Sequence, residues 1–162
     1  VPRSDTWVMQ GKHDHTSWSN DGVDRPRVLL ECPSAASPSI IADLVARSGY
    51  EVRTCIGPEG QHRCDLVDSG SCELVAGADV VVNMLDVRRE GGRSVAEAVL
   101  AERRPPQLIV EVAQPDLPLD GLNLTGAEVI ATPVHAGRLL GSIRKMLAGR
   151  ALPADWWGGG AT

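Results

Sequence analysis

The sequence predicts an α/β domain with a doubly wound, five-stranded parallel sheet. Short runs rich in Val, Leu and Ile alternate with segments whose apolar residues have helical spacing. The run ADVVVNML at 78–85 is apolar at almost every position, which is typical of a strand buried on both faces. Alternation of strands and helices in this order indicates a parallel sheet with helices on both sides.

The first half of the pattern predicts a strand, a helix and a second strand. The strands are predicted at 27–32 (RVLLEC) and 51–55 (EVRTC). Between them apolar residues recur at helical spacing, with Ser37 as the N-cap, Pro38 in the first turn and Gly49 as the stop signal.

The second half predicts three more strands and two helices. The third strand lies in 78–85, and the fourth and fifth are predicted at 107–113 (QLIVEVA) and 127–133 (AEVIATP). The segment SVAEAVLAERR predicts a helix capped by Ser94, and the segment 134–150 predicts a last helix with one apolar stripe.

Two connections lack helical periodicity. Glycines and prolines interrupt 56–77, between the second and third strands, and 114–126, between the fourth and fifth. The second and fourth helices of a flavodoxin-like domain are therefore expected to be shortened or replaced by loops. Ligands of such folds bind outside the carboxyl ends of the strands, so residues that follow strands are the candidate site residues.

The length of 162 residues fits one domain with tails. Polar, aperiodic residues predict a flexible N-terminal arm at 1–26 and a flexible C-terminal tail at 150–162, on either side of a domain at 27–149.

The formal charge of −5 and the lack of a basic cluster argue against a nucleic-acid partner. No segment approaches the roughly 20 apolar residues of a membrane span, so we expect a cytoplasmic protein without a membrane partner.

Four stretches carry a resemblance to a known family, and the most specific is ATPV at 131–134. The other three are VLLECP at 28–33, SGYEVRTC at 48–55 and GADVVVNML at 77–85. From 27 to about 149 their order and spacing resemble the receiver (CheY-like) domain of bacterial response regulators, in which a Lys–Pro pair precedes the last helix. The resemblance implies a receiver-like fold and a role in signal transduction.

The residues that carry the chemistry of receivers differ in this chain. The resemblance implies an acidic pair for Mg²⁺ after the first strand, a phosphate-accepting Asp after the third, a hydroxyl after the fourth and a Lys after the fifth. Here Glu31 is the remaining carboxylate, Asn83 stands at the acceptor position, residues 112–113 have no hydroxyl, and Thr132–Pro133 keeps only the proline. We therefore expect a degenerate receiver that is not phosphorylated.

The four cysteines suggest a second kind of site. Cys32 and Cys55 end neighbouring predicted strands, and Cys64 and Cys72 lie in the loop that leaves the second strand, so all four are able to converge. Four thiolates suit zinc or an iron–sulfur cluster, with His62 as an extra ligand. The spacing lacks a tight cysteine pair, so buried small side chains, a Cys64–Cys72 disulfide or a redox-sensing thiol pair remain open alternatives.

Two functions follow from these residues. The first is a non-enzymatic, receiver-like regulatory module that works through protein contacts, with Trp156–Trp157 as a docking or homodimer contact. The alternative is a metal-binding or thiol-redox sensor that uses the Cys55–Cys72 loop together with Cys32.

Overall fold

The computed structural model describes residues 17–33, 38–114 and 118–149. Five parallel strands form one sheet in the order β2-β1-β3-β4-β5. The strands are β1 (Arg27–Glu31), β2 (Glu51–Cys55), β3 (Val80–Asn83), β4 (Gln107–Val112) and β5 (Glu128–Ala131). This order confirms the predicted doubly wound parallel sheet, in which the carboxyl ends of all five strands meet at one edge.

Five helices accompany the sheet. They are α1 (Pro38–Arg47), α2 (Asp65–Ser69), α3 (Glu73–Ala76), α4 (Glu90–Leu100) and α5 (Ala136–Leu147). Two short helices, α2 and α3, occupy the connection for which the sequence predicts a shortened or replaced second helix. Gly70, in the left-handed conformation, follows the end of α2. Between β4 and β5, the described residues 113–114 and 118–127 form no helix. The prediction of shortened or replaced second and fourth helices is therefore confirmed.

Helix α4 begins earlier than the sequence predicts. It starts at Glu90, so Ser94 lies inside the helix and is not its cap. Gly92 is buried in the first turn, and a Cβ there would collide with the carbonyl oxygen of Asp86. Glycine therefore allows the start of the helix to pack closely on the loop after β3, despite its low helix propensity.

The sheet divides the core into two layers. On one side, which we call the α4 face, Leu29, Val81 and Val110 pack in a cluster with Leu66 of α2 and Val95 of α4. On the other side, the α5 face, the cluster is formed by strand residues together with α1 and α5: Leu30, Val82, Ile109, Val45, Leu139 and Ile143. Because successive residues of a strand point to opposite faces, a residue's position in its strand decides which layer it joins.

Within residues 17–26, for which the sequence predicts a flexible arm, Trp18 and Pro26 are buried, while residues 20–24 are exposed. The Trp18 side chain is 8% exposed, and its Nε1 donates a hydrogen bond to the Leu74 carbonyl at 3.0 Å. The Ser19 amide donates to Glu51 Oε1 at 2.6 Å. One aromatic residue in a polar segment leaves no periodic signal, so the sequence pattern could not show this contact.

Several predictions fall on residues that are not described. The arm at 1–16 and the tail at 150–162, including Trp156 and Trp157, lie outside the described residues. Within the part that is described, no helix combines the length and the apolar character needed to cross a membrane.

Candidate functional site

Three candidate residues lie side by side at the carboxyl edge of the sheet. Glu31, the last residue of β1, is paired in register with Cys55 of β2 and with Asn83 of β3. Residues paired in this way point to the same face of a sheet, and this group lies on the α4 face. Glu31, at the position of the receiver's acidic pair, is therefore flanked by a cysteine and by an amide.

The Asn83 side chain is fully buried and uses both ends of its amide. Its Nδ2 donates to the Gly92 carbonyl of α4 at 3.2 Å, and its Oδ1 accepts from the Leu85 amide at 2.9 Å. These two hydrogen bonds connect the end of β3 to the first turn of α4. Asn83 thus holds the loop between these elements, and a buried amide needs such partners.

Glu31 is a buried carboxyl group, with 2% of its surface exposed. Burial raises its pKa to about 7, although a hydrogen bond from the Cys55 thiol and the charge of His62 act in the opposite direction. Its Oε2 atom has no hydrogen-bond partner in the described residues. The group is therefore a buried acid with unused hydrogen-bonding capacity.

A cavity of about 640 Å³ lies beside Glu31, between the end of β2 and the segment that carries α2 and α3. Three thiols line it, those of Cys55, Cys64 and Cys72, and His62 stands among them. The His62 Nδ1 atom lies 2.7 Å from the Gly57 carbonyl, and because a carbonyl only accepts, this nitrogen carries a proton. The loop that replaces the second helix therefore builds the outer wall of a cavity.

The fourth cysteine lies on the opposite side of the sheet. Cys32 is 1% exposed in the cluster of the α5 face, and its Sγ donates to Met84 Sδ at 3.4 Å. It follows Glu31 by one residue, so its side chain points away from Cys55. The structure brings Cys55, Cys64 and Cys72 to one cavity but does not bring Cys32 to them.

The thiols show no arrangement that would hold a metal. All four are free cysteines, so Cys64 and Cys72 form no disulfide. Within the described ranges, no group of three or more His, Cys, Asp or Glu side chains is placed to hold a metal ion. Burial raises the pKa of Cys32 and of Cys55 to about 12, and it raises that of Cys64 as well. A protonated thiol is a poor nucleophile and must lose its proton to ligate, which favours the interpretation of these cysteines as buried small side chains.

The positions that hold Mg²⁺ in receivers do not fit this ion here. Mg²⁺ requires several oxygen ligands in octahedral geometry. Glu31 lies beside the cavity on the α4 face, while the neighbouring position is a thiol in contact with the thioether of Met84. Soft, protonated sulfur in place of a second carboxylate leaves the ion without its ligand set.

The last two receiver positions follow β4 and β5. Arg88 donates to the carbonyls of Ala113 and Gln114, at 2.8 and 3.1 Å, and so ties the loop after β3 to the loop after β4. Thr132 is exposed, and the Thr132–Pro133 peptide bond is cis. Sequence reasoning missed Arg88 and Gly92, because neither an exposed arginine nor a glycine pair has a pattern that predicts its partner.

The strand order and the helix positions define a receiver-like α/β domain. Solved structures agree: the signal receiver domain of a putative LuxO repressor protein from Vibrio parahaemolyticus matches with a TM-score of 0.57 and 22% identity, covering 77% of this chain and 92% of that chain. The receiver domain of a sensor histidine kinase from Pseudomonas aeruginosa, with magnesium in its active-site cleft, matches with a TM-score of 0.57 and 16% identity, covering 78% and 100%.

A receiver domain protein from Methanospirillum hungatei also matches, with a TM-score of 0.56 and 19% identity, covering 77% of this chain and 95% of that chain. No protein-family model and no curated protein matches the chain. These likenesses show that the chain has the receiver fold.

Proposed function

We propose that this chain is a regulatory module with a receiver fold that acts through protein contacts and is not phosphorylated on an aspartate. The observation that carries the proposal is the Asn83 amide, buried at the acceptor position with both of its hydrogen-bonding ends in use. An amide nitrogen or oxygen in this state offers no carboxylate for an acyl phosphate.

The surroundings of Asn83 support the same proposal. Phosphoryl transfer depends on a metal ion and on positive groups that neutralise the developing charge. Cys32 and Met84 supply sulfur where a metal would need oxygen, and Thr132 stands at the position of the receiver lysine. The chemistry of the site is therefore unsuited to receiving or holding a phosphoryl group.

The proteins that share the fold support the proposal that this chain has a protein partner. The matching domains come from a protein named as a repressor and from a sensor histidine kinase, both of which are regulatory proteins. We propose that this chain, too, works by binding a protein, with self-association as one form of that contact, in the cytoplasm. The alternative of a four-thiol sensor is less well supported, since Cys32 and Cys55 lie on opposite faces of the sheet and no group of the described residues is placed to hold a metal ion.

The experiment is incubation of the full chain with acetyl phosphate and Mg²⁺, followed by intact-mass measurement. A phosphorylatable receiver domain treated in parallel serves as the positive control. The proposal predicts an unchanged mass for this chain while the control gains a phosphoryl group. A stoichiometric, base-labile phosphoryl group on this chain would refute it.

A further inference from the structure

The cavity beside β2 contains a buried polar group with capacity for one more hydrogen bond. Glu31 lines it, is 2% exposed, and leaves Oε2 without a partner in the described residues. Buried polar atoms without partners are uncommon because each one costs free energy, and they often mark places where a ligand completes the bonding.

The size and lining of the cavity suit a small organic molecule. A volume of about 640 Å³ falls within the range of roughly 300–1,000 Å³ that is typical of ligand sites. Its lining includes apolar or weakly polar side chains around Glu31, namely Cys55, Ile56, Cys64, Leu66, Cys72 and Leu74. A mainly apolar ligand with one polar group fits such a lining better than a sugar or a nucleotide does.

The charges around the cavity indicate the sign of that polar group. Asp65 and Glu73 also line the cavity, and both are exposed. Arg63 and His62 line the cavity as basic groups, and Arg63 donates to Asp68 at 3.0 Å and is partly neutralised by it. Acidic groups therefore outnumber basic ones, and the cavity attracts a cation more than an anion.

We propose that this cavity binds a small, mainly apolar amine whose ammonium group donates hydrogen bonds to the Glu31 carboxylate. Charge-assisted hydrogen bonds of this kind are stronger than neutral ones, and a mainly apolar pocket strengthens them further. The inference goes beyond the proposed function and does not depend on it, because it concerns the cavity that Glu31 lines and not the Asn83 amide at the acceptor position.

The first test uses three probes of nearly equal shape on the full chain, followed by amide NMR. The probes are phenethylamine, phenethyl alcohol and hydrocinnamate, at about pH 8, where Glu31 is mainly ionised. We expect phenethylamine to bind with a dissociation constant of about 1 mM, as a fragment of this size does, and to shift the amide signals of Cys55, His62 and Cys64. The alcohol should bind more weakly, and the anion should not bind there.

Matched variants then separate the role of Glu31 from general effects of removing an acid. Glu31→Gln keeps the shape but removes the charge, and it should weaken phenethylamine binding by roughly tenfold or more. Glu111→Gln is the control, because Glu111 is a half-buried carboxyl of β4 whose position in the strand places it on the α5 face, and binding should be unchanged. Cys72→Phe, which adds bulk to the cavity lining, should also reduce binding, and it offers a second test independent of residue 31.

Four results would overturn the proposal. They are equal affinity in the Glu31→Gln variant, equal affinity for hydrocinnamate, signal shifts located away from the cavity, and absence of amine binding up to about 10 mM. Stoichiometric binding of Zn²⁺ alone with protection of the cavity thiols would likewise replace it with a metal site.

Discussion

Glu31 and Asn83 stand in register on adjacent strands, both buried on the α4 face of the sheet. One has an unused oxygen beside a cavity, and the other has its amide fully engaged with the start of α4. The two neighbours therefore have different roles. Asn83 fixes the loop after β3 through its hydrogen bonds, and Glu31 provides a buried carboxyl group with one unused acceptor atom. The predictions below follow from this difference.

Replacing the buried amide by a carboxylate should destabilise the protein. In Asn83→Asp the donor to the Gly92 carbonyl is lost, and the new carboxylate lies beside that carbonyl and next to Glu31. We expect the free energy of unfolding to fall by about 2 kcal/mol or more near neutral pH, as measured by urea denaturation. Asn123→Asp is the control, because Asn123 is exposed and its Oδ1 is an acceptor that a carboxylate can replace. Equal stability of Asn83→Asp and the wild type would contradict the role assigned to the amide.

Glu31 should make stability fall as the pH rises from about 4.5 to about 7. Burial raises the pKa of Glu31 to about 7 from the ordinary value of 4.5, so in this window the folded state keeps a proton that the unfolded state releases. Each pKa unit corresponds to about 1.4 kcal/mol, so the loss is on the order of 3 kcal/mol by pH 7 and above.

Urea denaturation across this pH range measures the effect directly. Glu31→Gln should flatten the profile between about pH 4.5 and pH 7 and should be more stable than the wild type at about pH 8. Glu97→Gln, on the exposed side of α4, should leave the profile unchanged. A Glu31→Gln profile that follows the wild type would show that the carboxyl titrates normally.

The cysteines should react slowly in the folded protein. Burial raises the pKa of Cys32 and of the partly buried Cys55 to about 12, so the thiolate is scarce at neutral pH. Alkylation with iodoacetamide at about pH 7.5, followed by peptide mass analysis, should label these two cysteines only after unfolding. Rapid labelling of Cys55 in the folded chain would instead support the redox alternative.

Gly77 should be required for the contact of Trp18 with α3. A Cβ at Gly77 would collide with the Trp18 ring, whose Nε1 donates to the Leu74 carbonyl. Gly77→Ala should therefore displace the ring, shift its indole NMR signal and lower stability by about 1–3 kcal/mol, as overpacking does. Gly141→Ala is the matched control, since this helical glycine has open space around it and alanine should stabilise α5 by up to about 1 kcal/mol. If Gly77→Ala left the indole signal unmoved, the Trp18 contact would not exist as described.

Periodicity in the sequence was sufficient to predict the strands, their parallel direction and the last helix. Periodicity could not predict the register of the strands. Because β1 and β3 are apolar on both faces, their sequences do not show which residues point to which face of the sheet. Cys32 and Cys55 both end a strand in the sequence pattern, yet the register pairs Cys55 with Glu31 and turns Cys32 to the other face. Because Cys32 lies one residue beyond Glu31, its thiol is on the α5 face, and the other three thiols of the predicted four-thiol site are on the α4 face.

Local signals also misplaced the start of α4, and they did not reveal the contact that Trp18 makes before β1. Gly92 and Trp18 act through tertiary contacts, among them those with the Asp86 carbonyl and the Leu74 carbonyl. Such contacts override helix propensity and composition, and they have no counterpart in the pattern of the neighbouring residues.

The most direct test of the central claim is titration of the full chain with beryllofluoride and Mg²⁺, which together mimic an acyl phosphate in receivers, followed by amide NMR. An unphosphorylatable module should show no saturable shifts at Glu31, Asn83 and Thr132, because the acceptor position holds an amide and Glu31 is the one carboxylate that remains of the acidic pair. Saturable, Mg²⁺-dependent shifts at these three residues would show that the site still accepts a phosphoryl mimic and would contradict the account.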